Sequence, residues 1–186
     1  MRITSGFLKN RRFQVPKEAV RPTKGQVREA IFSSLGGRCD GLRILDLFAG
    51  AGGLGLEAWS RGAELVVFVE KNRKVHQTLK KNIEQLQHDE LGRVDCVCGD
   101  AIRFLRTPPV PFDLIFADPP YDLPDAMEQT LCGIRDHSVL TTGGTVVYEL
   151  RSSAPFEIPK EWSLLRNKVF GAARVLMLKL ESKDKA

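Results

Sequence analysis

The chain of 186 residues is long enough for one domain with a proper core and too short for a large two-domain enzyme. Hydrophobic residues make up 42% and charged residues 27%, no apolar run reaches the roughly 18 residues that span a bilayer, and the basic start MRITSGFLKNRR lacks the apolar stretch of an export signal, so a cytoplasmic protein is expected. Net charge is +5, but residues 1–28 hold eight basic residues against one acid, which gives +7 there and −2 for everything that follows.

Such a basic segment ahead of a near-neutral body is the footprint of a polyanion partner; the alternative is a solvated tail. Ile3, Phe7, Phe13 and Val15 are interleaved with the charges, and Gly6 and Asn10 offer turns, so residues 1–20 are expected to form a short ordered hairpin ahead of one domain over 21–186. Thr23 followed by Gln26 reads as a capping box for a helix over 23–35. Val27, Ala30, Ile31, Ser34 and Leu35 form its inner face, and Lys24 and Arg28 point away from it.

From Arg43 the pattern alternates: strand 43–47, helix 54–61, strand 65–70, helix 73–86, strand 94–98, helix 101–106, strand 112–117, helix 125–135, strand 144–150. The strands LVVFVE, FDLIFA and TVVYEL are continuous apolar runs, as expected where helices cover both faces of a parallel sheet. Two strand-like runs around Gly171 then require an antiparallel hairpin. A mostly parallel, Rossmann-like α/β sheet closed in this way is the outline of the class I S-adenosylmethionine-dependent methyltransferase fold, with seven strands and a small N-terminal hairpin and helix in front.

The stretch DLFAGAGGLGLE follows the first strand, where a doubly wound sheet binds its ligand. Gly50, Gly52 and Gly55 suit NAD and S-adenosylmethionine equally, and Glu70 can hold ribose hydroxyls in either. Asp46 separates the two: a pyrophosphate roughly 6 Å from it would be repelled by about 3 kcal/mol per charge pair, whereas an ammonium or sulfonium is welcome. Asp100, after the third strand, can meet an adenine amine or simply cap the helix from Ala101. The expected cofactor set is therefore Asp46, Phe48, Gly50, Gly52, Gly55, Glu70, Asp100 and Ala101.

After the fourth strand comes DPPY. A nucleobase amine is a poor nucleophile because its lone pair is delocalised into the ring. Asp118 and the carbonyl of Pro119 can accept its two N–H groups, Pro119 and Pro120 fix the backbone, and Tyr121 can stack on the base. No competing constellation stands out. Cys39, Cys96, Cys98 and Cys132 are expected as free thiols, His76, His88 and His137 as surface residues, and no metal or partner subunit is expected.

Together, RIxxGxxKxRxF at 2–13, RPT at 21–23, VREAIFSSL at 27–35, DLFAGAGGLGLEAWSRGA at 46–63, FVE at 68–70, GDA at 99–101 and DPPY at 118–121 resemble the bacterial 16S ribosomal RNA guanine-N2 methyltransferases of the RsmD type. The resemblance implies methylation of the exocyclic amine of a guanine in the small subunit, with S-adenosylmethionine as methyl donor. It also implies a basic N-terminal region that docks RNA, here Arg2, Lys9, Arg11, Arg12, Arg21, Lys24 and Arg28. An adenine-N6 methyltransferase, a non-catalytic assembly factor and an NAD-linked oxidoreductase are the alternatives, and the last leaves Asp46 and DPPY without a role.

Overall fold

The computed structural model describes residues 1–16, 23–120, 123 and 125–181. The elements are α1 Gly25–Ser34, β1 Arg43–Leu47, α2 Gly53–Ser60, β2 Leu65–Glu70, α3 Arg73–Leu86, β3 Arg93–Cys98, α4 Ala101–Phe104, β4 Phe112–Ala117, α5 Ala126–Asp136, β5 Leu140–Arg151, β6 Trp162–Phe170 and β7 Ala173–Leu180. One sheet runs β3-β2-β1-β4-β5-β7-β6, parallel from β3 to β5, with β7 inserted antiparallel between β5 and the edge strand β6. This is the class I methyltransferase fold expected above. The order reverses between β1 and β4, so the loops leaving those two strands open side by side.

Alternation along each strand builds two cores. Ile44, Val66, Phe68, Leu114 and Phe116 face α1, α2 and α3, while Leu45, Leu47, Val67, Val69 and Ile115 face α4 and α5. Residues 1–16 reverse on themselves, with Ile3 N–H bonded to Arg11 O (3.0 Å) and Phe13 N–H to Met1 O (3.0 Å), and they bury Ile3, Leu8 and Phe13 in the first core. A β-carbon on Gly6, at φ +80°, would lie 1.9 Å from the Ser60 carbonyl oxygen, so only glycine lets this turn reach α2.

Three local expectations change. No capping box forms: Lys24 occupies the N-cap position without a side-chain bond, and Thr23 turns its hydroxyl to Glu149 Oε2 at 3.3 Å. The buried face of α1 is Val27, Arg28, Ile31 and Phe32, rotated from the expected Ala30 and Ser34 because Arg28 finds carbonyl and carboxylate partners inside. Finally, β5 begins at Leu140, four residues before the expected start. Its TTGG stretch reads as a loop, yet a bulge with Gly143 at φ +82° carries the pairing past it.

Candidate active site

An acid stands at or just beyond the carboxyl end of each of the five parallel strands: Asp100 after β3, Glu70 on β2, Asp46 on β1, Asp118 after β4 and Glu149 on β5. No ion pair among the described residues neutralises any of them. Concentrated, uncompensated negative charge of this kind suits a cationic ligand and opposes a pyrophosphate.

The glycine loop after β1 is shaped by this row. Asp46 is buried (4% exposed), and its Oδ2 accepts the Gly55 N–H at 2.8 Å, which ties β1 to the first turn of α2. Burial pushes its carboxyl up to about 8, the Gly55 bond opposes the rise, and Glu70 adds to it. Glu70 receives Gly50 N–H on Oε2 (2.9 Å) and Asn72 N–H on Oε1 (2.7 Å), fixing the loop from the β2 side. Asp100 caps α4 by accepting the Arg103 N–H at 2.9 Å, and Ala101 is buried behind it. Phe48 holds φ +61°, a conformation that non-glycine residues rarely adopt, at the mouth of the loop.

The glycines divide by role. A β-carbon on Gly55 would lie 2.2 Å from Phe68 Cε1 and one on Gly52 2.5 Å from Leu79 Cδ1, so these two serve close packing of α2 and its cap on the body. Gly50 meets nothing closer than 4.0 Å and is the glycine that leaves open space above the backbone.

Across the switch point, Asp118 is partly accessible and its carboxylate has no hydrogen-bond partner among the described residues. Burial, then Glu149, then Asp46 hold its carboxyl well above the usual carboxylate range. Pro119 and Pro120 border a cavity of about 950 Å³, shared with Tyr148, Arg151, Phe156 and Lys160, a volume that suits a nucleotide. Tyr121, expected to stack on a base, lies outside the described residues, as does Arg21.

The N-terminal basic residues separate into two groups. Arg2, Lys9, Arg11, Arg12 and Lys24 are exposed. Arg28 is not, which corrects its expected place at an RNA face: at 1% exposure it donates to Thr23 O (2.8 Å) and Arg2 O (2.7 Å) and lies 3.7 Å from Glu57 Oε2. Sequence reasoning also missed Glu149. Its signal was there, a single acid inside the otherwise apolar run TVVYEL.

Residues 1–179 match the family model described as conserved hypothetical protein 95. The chain is 32% identical over 189 residues to ribosomal RNA small subunit methyltransferase D of Escherichia coli K12, covering 100% of this chain and 93% of the relative. The protein of the same name from Haemophilus influenzae is 32% identical over 174 residues, covering 92% and 89%. The solved structure of yhhF from Escherichia coli matches with a TM-score of 0.86 at 33% identity, covering 98% of this chain and 99% of that one.

Proposed function

This chain belongs to the conserved hypothetical protein 95 family and is a methyltransferase, and from that premise we propose that it methylates the exocyclic N2 amine of a guanine in the RNA of the small ribosomal subunit. The observation that carries the reading is Asp118-Pro119-Pro120 set, across the switch point, beside a glycine loop held by the buried Asp46 and by Glu70.

The loop fits S-adenosylmethionine. Asp46 stands uncompensated where an ammonium or sulfonium would favour its ionised form, Glu70 can accept from ribose hydroxyls, and Asp100 with the backbone around Ala101 can meet the adenine. Bound there, the cofactor supplies a methyl carbon on a positively charged sulfur, which keeps the C–S electron pair as it departs. Asp118 and the Pro119 carbonyl accept the two N–H groups of the amine, which draws the N2 lone pair out of the ring and aims it along the new N–C bond. Asp118 then takes the proton that N2 sheds; a carboxylate held above its ordinary range accepts a proton at neutral pH better than an exposed one. Tyr121 stacks on the base, and Arg2, Lys9, Arg11, Arg12 and Lys24 meet phosphates.

The deciding experiment is labelled methyl transfer to small ribosomal subunits from a strain lacking the enzyme, with the modified base mapped by mass spectrometry. Methyl on guanine N2 supports the reading; methyl on adenine, or none under saturating cofactor, overturns it.

A further inference from the structure

Glu149 is the acid of the row that the scheme above leaves unused. Parallel pairing sets Ala117 opposite Tyr148, so the next residues, Asp118 and Glu149, end neighbouring strands side by side. Their strands alternate in step: Phe116 and Val147 pack in the core under α1, Ala117 and Tyr148 in the opposite one, which returns both carboxylates to the α1 side. There Glu149 is 7% exposed, and among the described residues the one hydrogen bond to its carboxylate, at 3.3 Å, comes from Thr23 Oγ1 to Oε2, leaving Oε1 without a donor.

A carboxylate accepts through two oxygens, and one long hydroxyl bond leaves most of that capacity unmet. Tethering α1 to β5 does not need a charge, since a glutamine would accept from Thr23 as well. The Watson–Crick edge of guanine, by contrast, presents N1–H directly beside the N2 amine, a row of donors that two adjacent carboxylates complement. Adenine offers an unprotonated N1 at that place, whose lone pair would face the acid.

We infer that Glu149 is the specificity-determining residue: it accepts the N1–H of the guanine whose N2 amine is held by Asp118 and the Pro119 carbonyl, and Thr23 positions it. This rests on the guanine-N2 reading above and adds the means by which the base is chosen. A site built around a buried acceptor rejects a ligand that lacks the matching donor far more strongly than an apolar pocket rejects one that differs by a methylene group.

The test uses small ribosomal subunits reconstituted with guanine or 2-aminopurine at the methylated position. 2-Aminopurine keeps the N2 amine but has an unprotonated N1. The wild-type protein is expected to prefer guanine by about 100-fold or more in kcat/KM. Glu149→Gln is expected to slow guanine and to narrow that preference at least tenfold, because its amide can donate to an unprotonated N1. Binding of S-adenosylhomocysteine and the melting temperature should stay near wild type. Thr23→Val should slow guanine methylation, with rescue by Thr23→Ser. An unchanged guanine to 2-aminopurine ratio in Glu149→Gln overturns the inference alone. So does a wild-type protein that methylates both bases equally, whatever the variant does. Wild-type methyl transfer to adenine overturns the guanine reading and this inference together.

Discussion

Two kinds of buried carboxylate meet α2, and they have been treated in opposite ways. Glu57, on the helix, is fully buried and accepts five hydrogen bonds, from Thr4 N, Thr4 Oγ1, Ser5 N, Arg61 Nε and Arg61 Nη2, with Arg28 at 3.7 Å as a second cation. Asp46, whose carboxylate accepts from Gly55 on the same helix, has no cation among the described residues, and past the neighbouring strand Asp118 has neither cation nor side-chain donor among them. A buried charge supplied with partners by its own chain is structural: it fastens residues 1–16 to the body. A buried charge left short of partners disfavours the empty protein and favours whatever brings the missing donors. On the proposed reading, the contrast separates acids that hold the fold from acids kept for a ligand.

Substitutions should therefore sort the acids into two classes. The largest effect is expected at Asp118→Ala, with methyl transfer lost by about 10²–10⁴-fold. S-adenosylhomocysteine binding should be kept and the melting temperature should not fall, as calorimetry on the same sample can show. A destabilised variant would move Asp118 into the class of Glu57. Glu57→Ala should do the reverse, lowering unfolding free energy by about 3–5 kcal/mol because Arg28 and Arg61 are left buried without their carboxylate. Denaturant titration measures this, and a loss under 1 kcal/mol would mean that the arginines repair themselves with backbone carbonyls.

Asp46→Asn sharpens the contrast through pH. With the folded carboxyl raised to about 8, folding favours the protonated acid, so its contribution to stability is complete below the ordinary carboxylate range and is lost as pH rises to about 8. The asparagine, which can still accept from Gly55, escapes that loss. Its stability relative to wild type should climb with pH by at most about 1.4 kcal/mol per unit between roughly 4 and 8 while cofactor affinity drops. A flat difference across that window would show Asp46 to be compensated after all. The smallest effect is expected at the exposed arm. Replacing Arg11 and Arg12 together should make the salt dependence of RNA binding shallower by about 1–2 in log–log slope, with unfolding unchanged; an identical slope would return the arm to a solvated surface.

Much of this was legible in the sequence because it depends on local pattern. Apolar runs bounded by turns located β1, β2, β4 and the terminal hairpin, and Asp46 and Asp118 stood out as acids ending such runs. What escaped depends on distant partners. Arg28 reads as an outward basic residue until Thr23, Arg2 and Glu57 surround it. Thr23 reads as a cap until β5 brings Glu149 to its hydroxyl. The spacing of Gly52 and Gly55 reads as a cradle for a ligand, while Leu79 and Phe68 are the neighbours that demand it. In each case local chemistry named the residue correctly as special and tertiary contact decided the reason.

The bond between Thr23 and Glu149 joins residues 126 positions apart, and β1 meets β4 across a shorter but still long gap, with Ile44 beside Leu114. A chain emerging from the ribosome therefore completes the glycine loop and α2 early but has no complete row of acids until β5 has been synthesised and paired. The row is complete only once β5 is in place, and a copy that stops short of it lacks the Glu149 end of the proposed site.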